Sequence, residues 1–433
     1  MMTPVILLTV VSIILLFLLK FMRNSFFDAG CLLIILWLIF IFVSLIGTIN
    51  LYTWKYDGLI WLIIMLYVFG TFYGIGKRYC VKNINNRNMV GDYDHMNISV
   101  SKNSWKILVL LIVLAFVKWL YELRINGFHL SDFGSLASLS SMNHDFAVAR
   151  YSGGSTSNSI LQLLNIATYS APICGGFAIN YADSKLRKML CAVSLFPILL
   201  VTLTNNTKAG LIGGGSLIVI SYLISYYYKN KEWVKFQFKT VMITLILISL
   251  LFVILIFSMM LRIGEVSSYT LSVVLRKIIV YAFGNVQSFD IWLSDYFRSS
   301  TITDGRMTYL GIADALGLAE RVQGVYTSLN GTSSNVYTAF RGVVSDFGII
   351  GGLVFTSLHG LFLGMSIKTI YSSALPRFSI FYAVQCIFFF VFGMFVSPWT
   401  YLSFIAAVIV FWFYLHIAFR RNAVMGQVLN SEC

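Results

Sequence analysis

Charge is what this sequence has least of. Only 11% of its 433 residues are Asp, Glu, Lys or Arg, against about 25% in soluble domains. That is too few to coat the roughly three globules that such a length would otherwise make. Intrinsic disorder is excluded as well, because 58% of the residues are hydrophobic and disorder needs low hydrophobicity. The six cysteines, Cys31, Cys80, Cys174, Cys191, Cys386 and Cys433, fall in apolar runs or beside basic loops. None lies in the two longest loops, so no disulfide framework holds those. No Cys/His spacing points to a metal site, and nothing in the sequence implies a cofactor. There is no internal repeat, although secondary transporters are commonly built from repeated halves. Acidic residues number 17 against 31 basic ones, a net of +14. Such a net raises nucleic acid as a partner until the charges are placed along the chain.

What the sequence has is apolar runs. A run of about 20 residues spans a bilayer as a helix. About eleven such runs occur, at 4–22, 30–50, 58–76, 104–123, 159–181, 189–204, 209–228, 240–261, 347–367, 378–396 and 400–419. The expected fold is therefore an all-α polytopic membrane protein. The first run runs into Lys20 and Arg23 without a small-residue cleavage site, which reads as a retained anchor. The sixth is short and runs into the seventh, as a tight hairpin or a re-entrant pair would.

Basic residues in short loops set orientation. One set of loops holds 19 of the 31 basic residues and six acidic ones, and so reads as cytoplasmic. The other side holds 12 basic and 11 acidic residues. This places the N-terminus outside and the C-terminus inside. Nearly all of the +14 thus records insertion, and no nucleic acid is implied. The chain divides into three regions: 1–261 with the first eight spans and an outer loop at 124–158, a large outer (periplasmic) loop at 262–346, and 347–433 with the last three spans and a tail. Loops as long as 262–346 are usually functional. Within it, Leu271 to Val280 has the pattern of an amphipathic helix lying on the membrane surface, or of a packed soluble helix.

Eight of the 12 outer basic residues are Arg, against seven of 19 on the cytoplasmic side. Arg grips phosphate and carboxylate bidentately, which Lys does not. Arg262 closes the eighth span, Arg341 precedes the ninth, Arg150 precedes the fifth, and Lys208 sits between the sixth and seventh. Four cations at helix ends would meet near the outer headgroups, where a lipid-linked pyrophosphate carries its phosphates. The plainer alternative is that each anchors its helix by snorkelling. Lys118 and Glu122 have the i,i+4 spacing of an ion pair. Gly348, Gly352, Thr356, Gly360 and Gly364 form a small-residue ladder for close helix packing, as do Gly210 and Gly214. Asp346 opens the ninth span, as a dipole-favoured acid or as a partner of Arg341. His129 and His144 read as surface residues.

The stretch Gly331-Thr332-Ser333-Ser334-Asn335-Val336-Tyr337-Thr338-Ala339-Phe340-Arg341, continuing to Asp346-Phe347-Gly348-Ile349-Ile350-Gly351, resembles the end of the large outer loop of Wzy-type polymerases of O-antigen or capsule repeat units. The segment from Gly305-Arg306-Met307-Thr308-Tyr309 to Gly317 and the turn Asn205 to Gly210 are similar to further family segments. Lys208 stands where Arg is common in the family. The resemblance implies a GT-C-like membrane glycosyltransferase of the bacterial inner membrane, working without a metal. Its substrates would be undecaprenyl-pyrophosphate-linked glycans held in membrane lipid, and a chain-length regulator and a flippase would be its partners. Arg341, Arg262 and Asp346 would be catalytic; Arg150, Lys208, Arg306, Asn335 and Tyr337 would bind substrate. A base would come from Asp346, Asp290 or Glu320. The alternatives are an O-antigen ligase, a class that tends to carry a His in the corresponding outer segment, where this chain has Asn335 and no His, and a lipid-linked oligosaccharide flippase.

Overall fold

The computed structural model describes residues 28–48, 54–85, 100–151, 159–205, 208–234, 238–263, 267–297, 301–320, 327–329, 332–334, 336–373 and 375–419. These are almost wholly helical. The helices are α1 (Ala29–Thr48), α2 (Asp57–Asn85), α3 (Lys102–Ile125), α4 (Leu136–Tyr151), α5 (Ser159–Ala178), α6 (Lys185–Val193), α7 (Phe196–Asn205), α8 (Lys208–Asn230), α9 (Phe238–Ile263), α10 (Ser268–Tyr296), α11 (Leu310–Ala315), α12 (Phe340–Ser372), α13 (Arg377–Phe392) and α14 (Leu402–Ala418). The strands are an antiparallel pair, β1 (Thr327–Leu329) and β2 (Thr332–Ser334).

Among the described residues, seven helical stretches are long and apolar enough to cross a membrane: α1, α2 to Tyr79, α5 to Tyr181, α6 with α7, α8, α10 and α12. Residues 252–261, α13 and α14 are shorter apolar helices. This is a polytopic membrane protein, with seven such stretches among the described residues against about eleven expected over the whole chain. The run at 4–22 lies outside the described residues. The run at 104–123 is helical as α3, but it carries Lys118 and Glu122, paired at 2.6 Å as their spacing predicts. The sixth run is broken into α6 and α7, with Leu195 N–H donating to Ala192 O between them. The outward faces suit lipid. Leu36, Ile39, Phe42 and Ile46 on α1, and Ile350, Val354, Leu358 and Phe362 on α12, are exposed apolar stripes at helical spacing. Stripes of that size on a water-soluble monomer would be a liability.

Tails and helices are equally apolar in lipid, so close backbone approach holds such a bundle. α2 and α12 form the closest pair. A Cβ at Gly76 would collide with Leu361 O, one at Gly360 with Phe69 O, and one at Gly364 with Tyr73 O. Gly352 lies against the Trp61 ring. Gly348 does not belong to this ladder. Its φ of 71° and ψ of 178° break α12 into two helical segments, a conformation open essentially to glycine alone.

The spans share two ends. At one, Asp28 accepts from Tyr73 Oη and pairs with Lys77 Nζ at 2.7 Å, joining the start of α1 to the end of α2. There too Lys229 and Lys231 donate to Asn180 O and Ile370 O, and Arg377 donates to Phe419 O. At the opposite end, Asn143 on α4 donates to Leu203 O and Ser140 to Leu261 O.

α10 differs most from expectation. The surface helix anticipated at 271–280 is the first part of a 29-residue helix. Val274 packs on Met259 and Met260 at the end of α9. Phe283 touches Gly47 at the end of α1, and Asn285 donates to Met394 O just past α13. Phe289 meets Trp61 in the second turn of α2. α10 therefore lies across one end of the bundle, touching helix ends in turn, although its length and composition would let it cross a membrane.

Candidate functional site

The far part of α10 meets the start of α12, and the turn 301–309 fills the angle between them. Asp304 and Gly305, at φ 48° and 87°, fold that turn tightly. It is tied to α12 by Thr303 N–H donating to Ser345 O at 3.0 Å. The buried Asp346 carboxylate accepts from Thr303 Oγ1, Met307 N–H and Thr308 N–H at 2.5, 3.0 and 2.5 Å. Asp346 makes no ion pair with Arg341 among the described residues. Ser397 Oγ donates to Thr308 O, and Tyr309 stacks on Trp399 at 4.9 Å. Burial, and then the Asp346 charge, push the Tyr309 hydroxyl above its ordinary value.

Asp290 is similarly engaged. It accepts from the backbone N–H groups of Lys55, Tyr56, Gly58 and Leu59 at 2.7 to 3.2 Å. It thus supplies, from another helix, the acceptors that the first turn of α2 lacks.

Arg341 sits in the first turn of α12. Its guanidinium carbon lies 4.0 Å from the Tyr337 ring centroid and 5.4 Å from that of Trp292, so it is held by two aromatic faces. Arg341 Nη1 is buried and has no hydrogen-bond partner among the described residues. The Tyr337, Thr338 and Thr308 hydroxyls are also buried without partners there. Next to Trp292 a cleft of about 300 Å³ opens, lined by Trp292, Asp295, Tyr296, Thr301, Thr303, Met307 and Ser345. That volume is at the small end of ligand sites. An aromatic wall, hydroxyls and one carboxylate beside a cation can bind a polyol ring and hold an anion next to it.

The other expected residues are spread along the same end. Arg306 is exposed on the turn, one residue before Met307. Glu320 is exposed away from the cleft lining. Arg150, Lys208 and Arg262 have described backbones in α4, α8 and α9, and their side chains lie outside the described set; Asn335 lies wholly outside it. Arg262 ends a helix that packs on the first part of α10, whereas Arg341 faces its far part. Val274, packed at the end of α9, is 18 residues from Trp292, about 27 Å along the helix axis. His129 and His144 are exposed, as expected. Trp292, Asp295 and Tyr296 are additions that sequence reasoning misses. Their one signal is an aromatic pair at i,i+4 with an acid on the same helix face.

No family model, no curated protein and no solved structure matches the chain.

Proposed function

We propose that the chain is a polymerase that joins undecaprenyl-pyrophosphate-linked oligosaccharide repeat units into O-antigen or capsular polysaccharide. The observation that carries this reading is Arg341: a guanidinium against two aromatic rings, with a buried Nη1 that no described group satisfies. Leaving a buried charged donor unmet is costly, and an anionic ligand removes that cost. The site lies at a bundle end, where a lipid-borne pyrophosphate would sit with its tail beside the apolar helix faces. On this reading the cleft is on the outer face of the inner membrane, with the N-terminus outside and the C-terminus cytoplasmic. A flippase supplies the substrate and a chain-length regulator acts on the product.

An acceptor hydroxyl attacks the anomeric carbon of the donor's first sugar. The new C–O bond forms as the bond to pyrophosphate breaks, and the electron pair leaves on a phosphate oxygen. Arg341 stabilises that developing charge, most strongly in the transition state. Both substrates are lipid-anchored in one leaflet, so orientation supplies much of the remaining rate. Asp346 serves by fixing the 303–308 turn, and its three donors leave it no substrate-facing role in this arrangement.

The test is Arg341→Lys in vesicles supplied with lipid-linked repeat units. Charge is kept and the fork is lost, and polymer formation should fall about 10²-fold or more. Polymer of unchanged amount and length would rule out phosphate clamping by this residue.

A further inference from the structure

The cleft holds one carboxylate whose role the fold does not explain. Asp346 is consumed by three donors and Asp290 by four. Asp57 accepts from Ser294 Oγ at 2.7 Å. Asp295, by contrast, lines the cleft and is exposed, and its carboxylate has no hydrogen bond or ion pair among the described residues. It comes three residues after Trp292 on α10, so the two share a face one turn apart. Ser345 comes four residues after Arg341 on α12 and lines the same cleft. Trp292 faces the Arg341 guanidinium, and Asp295 and Ser345 line the wall one turn further along each helix. The carboxylate thus shares the cleft wall with Trp292, the ring that the Arg341 guanidinium carbon approaches to 5.4 Å, with Tyr296, Thr301 and Thr303 around the same space.

We infer that Asp295 is the catalytic base of this cleft, taking the proton of the acceptor sugar's hydroxyl as that oxygen attacks. The inference rests on the polymerase reading and adds what it leaves open, namely where the proton goes. The acceptor O–H bond breaks toward Asp295 as the new C–O bond forms. The pyrophosphate leaves with its electron pair toward Arg341, and Asp295 then releases its proton to solvent. Trp292 and Tyr296 offer the apolar faces on which a pyranose ring stacks, and the Thr301, Thr303 and Ser345 hydroxyls can read its hydroxyls. The acceptor is thus a sugar bound in the cleft, with its reactive hydroxyl at Asp295.

The experiment compares wild type, Asp295→Asn, Asp295→Ala and Arg341→Lys in proteoliposomes, using lipid-linked repeat units and varied acceptor concentration. A base contributes about 10²–10⁴-fold. Asp295→Asn and Asp295→Ala should therefore lose at least about 100-fold in kcat while KM for the acceptor stays nearly constant. Added formate should restore part of the Asp295→Ala rate, and a merely positioning role would not give that rescue. Because Asp295 is exposed, both variants should elute as folded protein in detergent. Wild-type kcat in Asp295→Ala overturns the assignment and leaves the polymerase reading standing. Lost kcat without formate rescue also overturns it, in favour of positioning. Absence of polymer from wild type itself overturns the reading, and the assignment with it.

Discussion

Three carboxylates near one cleft differ in what holds them. Asp346 and Asp290 accept seven hydrogen bonds between them, six from backbone N–H groups, and Asp295 accepts none from the described residues. Their variants should diverge accordingly. Asp346→Asn puts an NH₂ where a donor already points, and the unmet buried group costs about 1–3 kcal/mol. Its apparent Tm in detergent should fall, and activity should fall with it as the turn loosens. Asp295→Asn should leave Tm where it was. Sequence order favours Asp346 as the partner of Arg341 because only five positions separate them. Its true donors lie 38 to 43 residues upstream, and that pairing exists only once the turn folds back on α12. Arg341 is legible because a lone Arg before a span has few structural duties. Asp295 is not, because an acid on a surface-like helix looks like any solvated charge.

Among the elements, the spans are legible and their interruptions are not. Hydrophobic runs locate α1, α5, α8 and the start of α2 to within a few residues, since lipid demands length and apolarity together. The glycine ladder on α12 reads in sequence as one stripe, yet its members do different work. Gly360 and Gly364 admit the α2 backbone, and Gly348 turns the chain. Identical spacing conceals this, because φ is set by how the two flanking segments pack and not by the residue type. Gly348→Ala should cost about 1–3 kcal/mol through its strained φ/ψ. On the proposed reading it should lower polymer yield more than it lowers the amount of protein in the membrane, since the first segment of α12 carries Arg341 and Ser345. Activity and membrane abundance measured on the same cells separate the two effects.

For the molecule as a whole, α10 decides the topology. Composition says that it can cross a bilayer, and its contacts lay it across one end. Position along the sequence does not reveal this, because a 29-residue amphipathic helix satisfies both descriptions. Tyr269 and Phe297, near its two ends, are strongly exposed. Cys31, Cys174, Cys191 and Cys386 are buried, so their reaction with thiol reagents should be low. Tyr269→Cys and Phe297→Cys should both react with a membrane-impermeant maleimide applied from one side. Labelling from opposite sides would make α10 a true span and move the cleft to the cytoplasmic face.

The break at Gly348 has one more consequence. A membrane span answers a thicker or thinner bilayer by tilting, and a rigid helix would carry that tilt to whatever it bears at its tip. Here the tip is jointed. The segment from Phe340 to Phe347 is fastened to α10 and the 301–309 turn, and the longer segment below Gly348 can lean with the lipid. If the proposed polymerase activity holds, turnover should therefore vary little across vesicles of increasing acyl-chain length. In Gly348→Ala the joint stiffens, and turnover should become sensitive to lipid thickness.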